Sequence, residues 1–164
     1  MINSSISLVK KHVIGPILSI PLESQPACKL LESDLMKIER ICLEIASTTA
    51  AKRKGGLIII GNTTDFTTLF PDLFEGRFIS LFEPGVKKIL EKLIELDGAI
   101  VIDRKGIVRA FGAYLARQKA LPGHGTRHAA ARGVTLDPGI KAILISEEDN
   151  KVRVFEQGRQ VFQL

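Results

Sequence analysis

Tryptophan is absent from this 164-residue chain, and tyrosine occurs once. With aromatic residues at only 5%, a platform of rings for stacking single-stranded nucleic acid is not expected. Cysteine is nearly absent too. Cys28 and Cys42 are the only two, too few and too widely spaced for a zinc pattern or a redox pair. Cys42 falls on the apolar face of a predicted helix, where packing accounts for it. A reducing cytoplasm suits this usage. No apolar run approaches the roughly 18 residues needed to span a bilayer. The most apolar early stretch, VIGPILSIPL at 13–22, is broken by Pro16 and Pro21 and carries no signal-cleavage pattern. The expectation is a soluble, cytoplasmic protein with no membrane partner. A Walker loop is also missing, since no GxxxxGK[ST] occurs. Repeats and low-complexity tracts are absent.

What is present describes one domain. Hydrophobic residues make up 45% and charged residues 25%, enough for a sizeable core. The net charge of +5 and pI near 9.4 suit an anionic ligand. A merely basic surface explains the same numbers, and a dedicated nucleic-acid groove is not expected. Residues 1–30, with Pro16, Pro21 and Pro26, read as an irregular extension with room for one short strand at 13–20; the compact domain is 31–164. Ser33 is a predicted N-cap for a helix running to about Lys54 and stopping at Gly55-Gly56. LIIIG then reads as a buried strand, NTTDF as a turn, 68–74 as a short helix and RFIS as a short strand. Pro84 suits the first turn of a second helix, with Val86, Ile89, Leu90, Leu93 and Ile94 on one face. Two hairpins are predicted, turning at Asp103–Gly106 and at Glu147–Asn150, and a last short strand ends the chain. The fold class is α/β: a single domain with a central mixed β-sheet flanked by helices.

Chemistry concentrates in three places. In LPGHGTRHAAARG, residues 121–133, glycines of a tight turn lead into alanines of a helix. Free N–H groups and the helix dipole make such a start an anion site. Thr126 at the cap offers a hydroxyl, Arg127 a planar fork for phosphate oxygens, and His128 a donor that titrates near neutrality. An ordinary N-cap with solvated Arg and His accounts for the stretch about equally well. Asp97 precedes a buried strand and is followed by Gly98 and Ala99, small enough for close approach of a ligand. Its carboxylate suits a cation or a proton, or simply a turn. Ser146–Asp149 closes another strand with three carboxylates, fit for a metal or for a solvated hairpin tip. Taken jointly, these places supply a carboxylate, a phosphate cradle and a metal side, the parts of nucleotide chemistry.

DGAIVI at 97–102, AYL at 113–115, GTRHAAA at 125–131 and ILISEE at 143–148, trailed by KVRVFEQG and preceded by KRKGGLIIIG, resemble the diadenylate cyclase domain of the DNA-integrity scanning protein and its relatives. The resemblance covers roughly residues 30–160. It implies condensation of two ATP molecules into cyclic di-AMP with release of two pyrophosphates. Each 3′-hydroxyl attacks the α-phosphate of the other ATP across a face-to-face dimer, so a homo-oligomer is implied. A divalent ion, Mg²⁺, Mn²⁺ or Co²⁺, is implied as cofactor. Carried onto this chain, Asp97, Arg127 and His128 are the catalytic set. Gly98, Ala99, Tyr114, Leu115, Gly125, Thr126 and Ser146 hold the nucleotide, and Asp97 and Glu148 serve the metal.

The chain departs from the family in two places. The family usually reads Arg-His-Arg where this chain has Arg127, His128 and Ala129, so one phosphate-side cation is missing. Arg132, one helical turn on, is the expected substitute. The loop after Tyr114-Leu115 is short, and His124 within it reads as a solvated loop residue. The loss of that cation leaves an alternative open: a degenerate module that binds ATP or cyclic di-AMP without turnover.

Overall fold

The computed structural model describes residues 26–70, 78–116, 118, 119, 122, 123 and 125–164, with side chains from Ser33 onward. The predicted strand at 13–20, residues 71–74 of the predicted short helix, and His124 lie outside the described residues.

Helix α1 (Pro26–Ala51) is followed by strands β1 (Gly56–Ile60), β2 (Phe66–Thr68) and β3 (Ile79–Ser80), then helix α2 (Val86–Leu93). Strands β4 (Ala99–Ile102) and β5 (Ile107–Leu115), helix α3 (Thr126–Val134) and strands β6 (Lys141–Ile145), β7 (Val152–Glu156) and β8 (Arg159–Gln163) complete the domain. Among the described residues the sheet has eight strands, in the order β2-β5-β4-β1-β6-β7-β8 with β3 also on β5. It is mixed: β1 and β4 run parallel, and the other pairs are antiparallel. This is the expected α/β domain.

Residue alternation along the central strands sorts the core onto two faces. Ile58 and Ile60 join Ile100, Ile102, Ile143 and Ile145 under α1 and α2. Leu57 and Ile59 join Val101, Ala142 and Leu144 under α3. Helix α3 contributes Ala130, Ala131 and Val134, small side chains that bring its axis close to the sheet. Cys42 is fully buried in the α1 layer, where desolvation pushes its thiol well above the ordinary range. It is a packing residue, as expected.

Several local expectations are corrected. Helix α1 begins at Pro26, so Ser33 lies inside it rather than capping it. It ends at Ala51, with Arg53 in the left-handed region at φ 56, before the glycines are reached. Thr68 belongs to a strand, not to the start of a helix. Pro84 precedes the Gly85 N-cap of α2 instead of lying in its first turn. Ile89 is 57% exposed, while Val86, Leu90 and Ile94 form the buried face. Both predicted hairpins are present.

Candidate active site

Three chain segments meet at one end of the sheet, where β1 and β4 begin and β5 and β6 end. Asp97–Ala99 enters β4, Tyr114–Leu115 leaves β5, and Ser146 follows β6. Helix α3 starts among them. Gly125 is its N-cap, in extended conformation at φ −74 and ψ 174, and makes no side-chain cap bond. Thr126 is therefore the first helical residue, one position inside the cap assigned from sequence. The His128 N–H already meets the Gly125 carbonyl at 3.1 Å, whereas the N–H groups of Thr126 and Arg127, at the very start of the helix, have no carbonyl one turn back to meet.

Two adjoining cavities flank this helix start. One, of about 300 Å³, has an apolar floor of Leu57, Ala99, Ala113, Leu115 and Ala130, and a polar rim of Asp97, Tyr114 and Gln118. The other, of about 360 Å³, runs from Gly123, Gly125 and His128 to Ser146, Glu147, Glu148, Asp149 and Arg153. Thr126 and Arg127 line both.

In the first cavity the Asp97 carboxylate is fixed from two sides. The Gly98 N–H donates to Oδ1 at 3.0 Å, and the Tyr114 hydroxyl donates to Oδ2 at 3.1 Å. The hydrogen bond to Asp97 and the charge of that carboxylate both raise the Tyr114 pKa, so the phenol stays a neutral donor. Gly98 has φ +95, and a Cβ there would stand 2.5 Å from the Gly112 carbonyl carbon. The glycine is thus required by the protein's own β4–β5 contact, where the register shifts, as well as lining the cavity.

In the second cavity the Arg127 guanidinium lies over Gly55. A Cβ on Gly55 would stand 2.6 Å from Arg127 Nη1, and Arg127 Nε is buried with no hydrogen-bond partner. His128 packs edge-on to Phe155, with ring centroids 6.1 Å apart and planes at 88°. Arg153 grips Asp149 with both terminal nitrogens. That pairing, with the Ser146 hydroxyl second, holds the Asp149 carboxyl well below the usual range.

The family model described as DisA bacterial checkpoint controller nucleotide-binding matches residues 44–160. The chain belongs to this diadenylate cyclase family. A diadenylate cyclase of Methanocaldococcus jannaschii is 28% identical over 137 residues, which cover 79% of this chain and 44% of that protein. One of Haloferax volcanii is 31% identical over 118 residues, covering 67% and 44%. The chain therefore spans less than half the length of these curated relatives. Among solved structures, a double mutant of DacA from Staphylococcus aureus superposes with a TM-score of 0.55 at 23% identity, over 79% of this chain and 87% of that one. A protein from Bacillus cereus, titled a hypothetical membrane spanning protein, gives 0.58 at 20% identity, over 74% and 61%. Those two likenesses are of fold. Among the described residues no helix is long and apolar enough to cross a membrane.

Membership in the diadenylate cyclase family makes the departure at position 129, and its expected substitute at position 132, informative. Ala129 is 7% exposed, and its carbonyl accepts the Lys119 N–H at 2.8 Å, so Lys119 lies against it. Arg132 does not take over as a phosphate-side cation. Its Nε donates to the Gly158 carbonyl at 3.2 Å, at the β7–β8 turn, and it lines neither cavity.

The diadenylate cyclase motifs brought Asp97, Gly98, Ala99, Tyr114, Leu115, Gly125, Thr126, Arg127, His128, Ser146 and Glu148 to the two cavities. Gly55 and Arg153 were missed. In the sequence Gly55 reads as half of a helix stop. Its signal was the second glycine, more than one αL cap needs. Arg153 sits in a strand among apolar residues, and alternation alone marked it as facing away from Val152 and Val154.

Metal-ligand geometry is sparse. Among the described residues no group of three or more His, Cys, Asp or Glu side chains is placed to hold an ion. Asp97 and Glu148 stand in adjoining cavities. Such a donor set fits a hard cation that takes one or two carboxylates and completes its shell with substrate phosphates and water. It does not fit a preformed all-protein cage.

Proposed function

We propose that this domain condenses two ATP molecules into cyclic di-AMP, releasing two pyrophosphates, across a face-to-face pair of domains. The observation that carries the reading is the sharing of Thr126 and Arg127 by both cavities. A nucleotide has an apolar base and a polyanionic tail. The cavity floored by Leu57, Ala99 and Leu115 suits the base and ribose, and the cavity headed by the α3 N-terminus suits the phosphates. The α-phosphorus, where the bond is made, then lies at Thr126–Arg127.

Each residue's part follows from its place. Leu115 and Ala99 hold the adenosine by apolar contact. Thr126 and the early N–H groups of α3 hold phosphate oxygens, and Arg127 neutralises charge that builds on them. Asp97, oriented by Gly98 and Tyr114, faces the ribose side, where it can take the 3′-hydroxyl proton. Glu148, Asp97 and Ser146 would hold a divalent cation together with the phosphates. When bound, that ion supplies charge neutralisation and alignment of the reacting groups. Diadenylate cyclases use divalent metal ions; Mg²⁺ or Mn²⁺ matches oxygen donors best. Nucleotidyl transfer needs alignment more than covalent help, so no nucleophilic side chain is required.

This pair of cavities has room for one nucleotide, so cyclisation needs a second copy facing it, and the active form is at least a dimer. The test is incubation of the chain with ATP and Mn²⁺ or Mg²⁺, followed by chromatographic separation of cyclic di-AMP and quantification of pyrophosphate. Two pyrophosphates per cyclic dinucleotide are expected. ATP binding with no product would favour the degenerate binding module, the reading that the buried Ala129 supports. Absence of binding would overturn both.

A further inference from the structure

The phosphate cavity holds a second fixed cation, and it does not come from helix α3. Position 129 is a buried alanine, and Arg132 is turned to the Gly158 carbonyl. Arg153, near the start of β7, reaches the cavity that Thr126, Arg127 and His128 line. Its side chain is only 14% exposed, so it is fixed by its surroundings rather than solvated. Its terminal nitrogens are occupied by Asp149, the residue that follows Glu148 in the turn after β6. Asp149 is itself tied to that turn, accepting from the Lys151 N–H at 3.3 Å, while its own N–H meets the Ser146 hydroxyl at 3.5 Å.

Resting on the nucleotide reading of this site, we propose that Arg153 is a substrate-binding residue that grips the polyphosphate tail, with Asp149 holding the guanidinium in place and competing for it. A triphosphate brings several negative charges into a cavity that already contains Glu147, Glu148 and Asp149. Arg127 alone does not balance them. A guanidinium presents five donors in a rigid fork, so Arg153 can turn part of that fork to phosphate oxygens while keeping a bond to Asp149. The Asp149 pairing keeps Arg153 aligned before substrate arrives, and phosphate then takes over bonds that the carboxylate held.

A purely structural Arg153–Asp149 pair predicts something different. It would only brace the β6–β7 turn, and removing either partner would have the same effect. In the substrate-binding account the two changes have different effects. Arg153→Ala loses a charge-assisted bond to phosphate and weakens binding. Asp149→Asn keeps an amide oxygen that accepts from the guanidinium and so leaves Arg153 aligned, while removing the competing charge, so affinity is unchanged or higher.

The test is titration calorimetry of the full chain with a non-hydrolysable ATP analogue, with inorganic tripolyphosphate and with adenosine. It is run on wild type, Arg153→Ala, Arg153→Lys and Asp149→Asn, each first checked for folding by thermal melt. Arg153→Ala should weaken the analogue and tripolyphosphate about tenfold and leave adenosine unchanged. Arg153→Lys should recover part of that loss, and Asp149→Asn should bind the analogue at least as tightly as wild type. Folded Arg153→Ala that binds the analogue within twofold of wild type overturns the proposal. So does equal weakening by Arg153→Ala and Asp149→Asn. Wild type that binds neither analogue nor tripolyphosphate overturns the nucleotide reading itself, an outcome distinct from loss confined to Arg153 variants.

Discussion

Arg127 lies directly over Gly55: a methyl group on that glycine would stand 2.6 Å from the guanidinium Nη1 and 3.4 Å from Cζ. The turn between α1 and β1 thus forms the floor on which the phosphate-side arginine rests. The backbone at Gly55 needs no left-handed conformation, so a side chain there is excluded by Arg127 rather than by strain. Gly55→Ala should leave stability within about 1 kcal/mol of wild type, because the atoms displaced are the far end of a flexible side chain. Product formation should fall about tenfold or more as Arg127 leaves its place. A thermal melt and a rate assay on one preparation check both halves.

Tyr114→Phe removes one of the two donors that orient Asp97. The Gly98 N–H remains, so the rate should drop several-fold rather than vanish. The raised Tyr114 pKa means the phenol keeps its proton up to and beyond its ordinary value. The defect should therefore be constant between about pH 6 and 9, well below phenol ionisation. A pH–rate profile of the variant against wild type checks this.

Asp103 gives a prediction about stability alone. It is 4% exposed and accepts from the Lys105 and Ile107 N–H groups and from Arg109. Burial by itself would raise its pKa; the bonds from Ile107, Arg109 and Lys105 outweigh burial and lower it. The stability it contributes is therefore full above the unfolded carboxyl value, near 4, and is lost as pH falls through the lower folded value. Asp103→Ala should cost about 2 kcal/mol at neutral pH, and less under acid conditions. Asp103 closes the far end of β4 from Asp97, so activity per folded molecule should not change.

Metal removal should separate function from fold. Among the described residues no group of three ligating side chains is placed to hold an ion, and the proposed ion is held by two carboxylates together with substrate phosphates, so the fold is expected to stand without it. A chelator should abolish product formation and leave the thermal midpoint of the ligand-free protein unchanged. A chelator-induced fall in that midpoint would show a structural metal that this account does not contain.

The fold was legible because its central strands are short apolar runs bounded by turn residues, and its hairpins carry Asp103–Gly106 and Glu147–Asn150 between β-rich segments. The site was legible because each motif sits at a strand mouth or helix start. What was not legible depends on contacts between distant segments. Gly55-Gly56 looks like a helix stop until Arg127 and Ile94 are placed against them. Arg132 and Arg153 are equivalent as letters, and only the β7–β8 turn that draws off one and the cavity that receives the other distinguish them. Ser33 has the chemistry of an N-cap, but helix α1 begins seven residues earlier, at Pro26, a residue suited to a first turn.

The central claim is that the two cavities joined at Thr126–Arg127 hold one ATP for attack by another, with Asp97 acting at the ribose side. The most direct measurement compares wild type with Asp97→Asn in one experiment, with Mn²⁺ present. It reads cyclic di-AMP formed from ATP, and binding of a non-hydrolysable analogue. The account predicts product from wild type, none from Asp97→Asn, and analogue binding by both within about tenfold. Cyclic di-AMP formed by Asp97→Asn at the wild-type rate would contradict it.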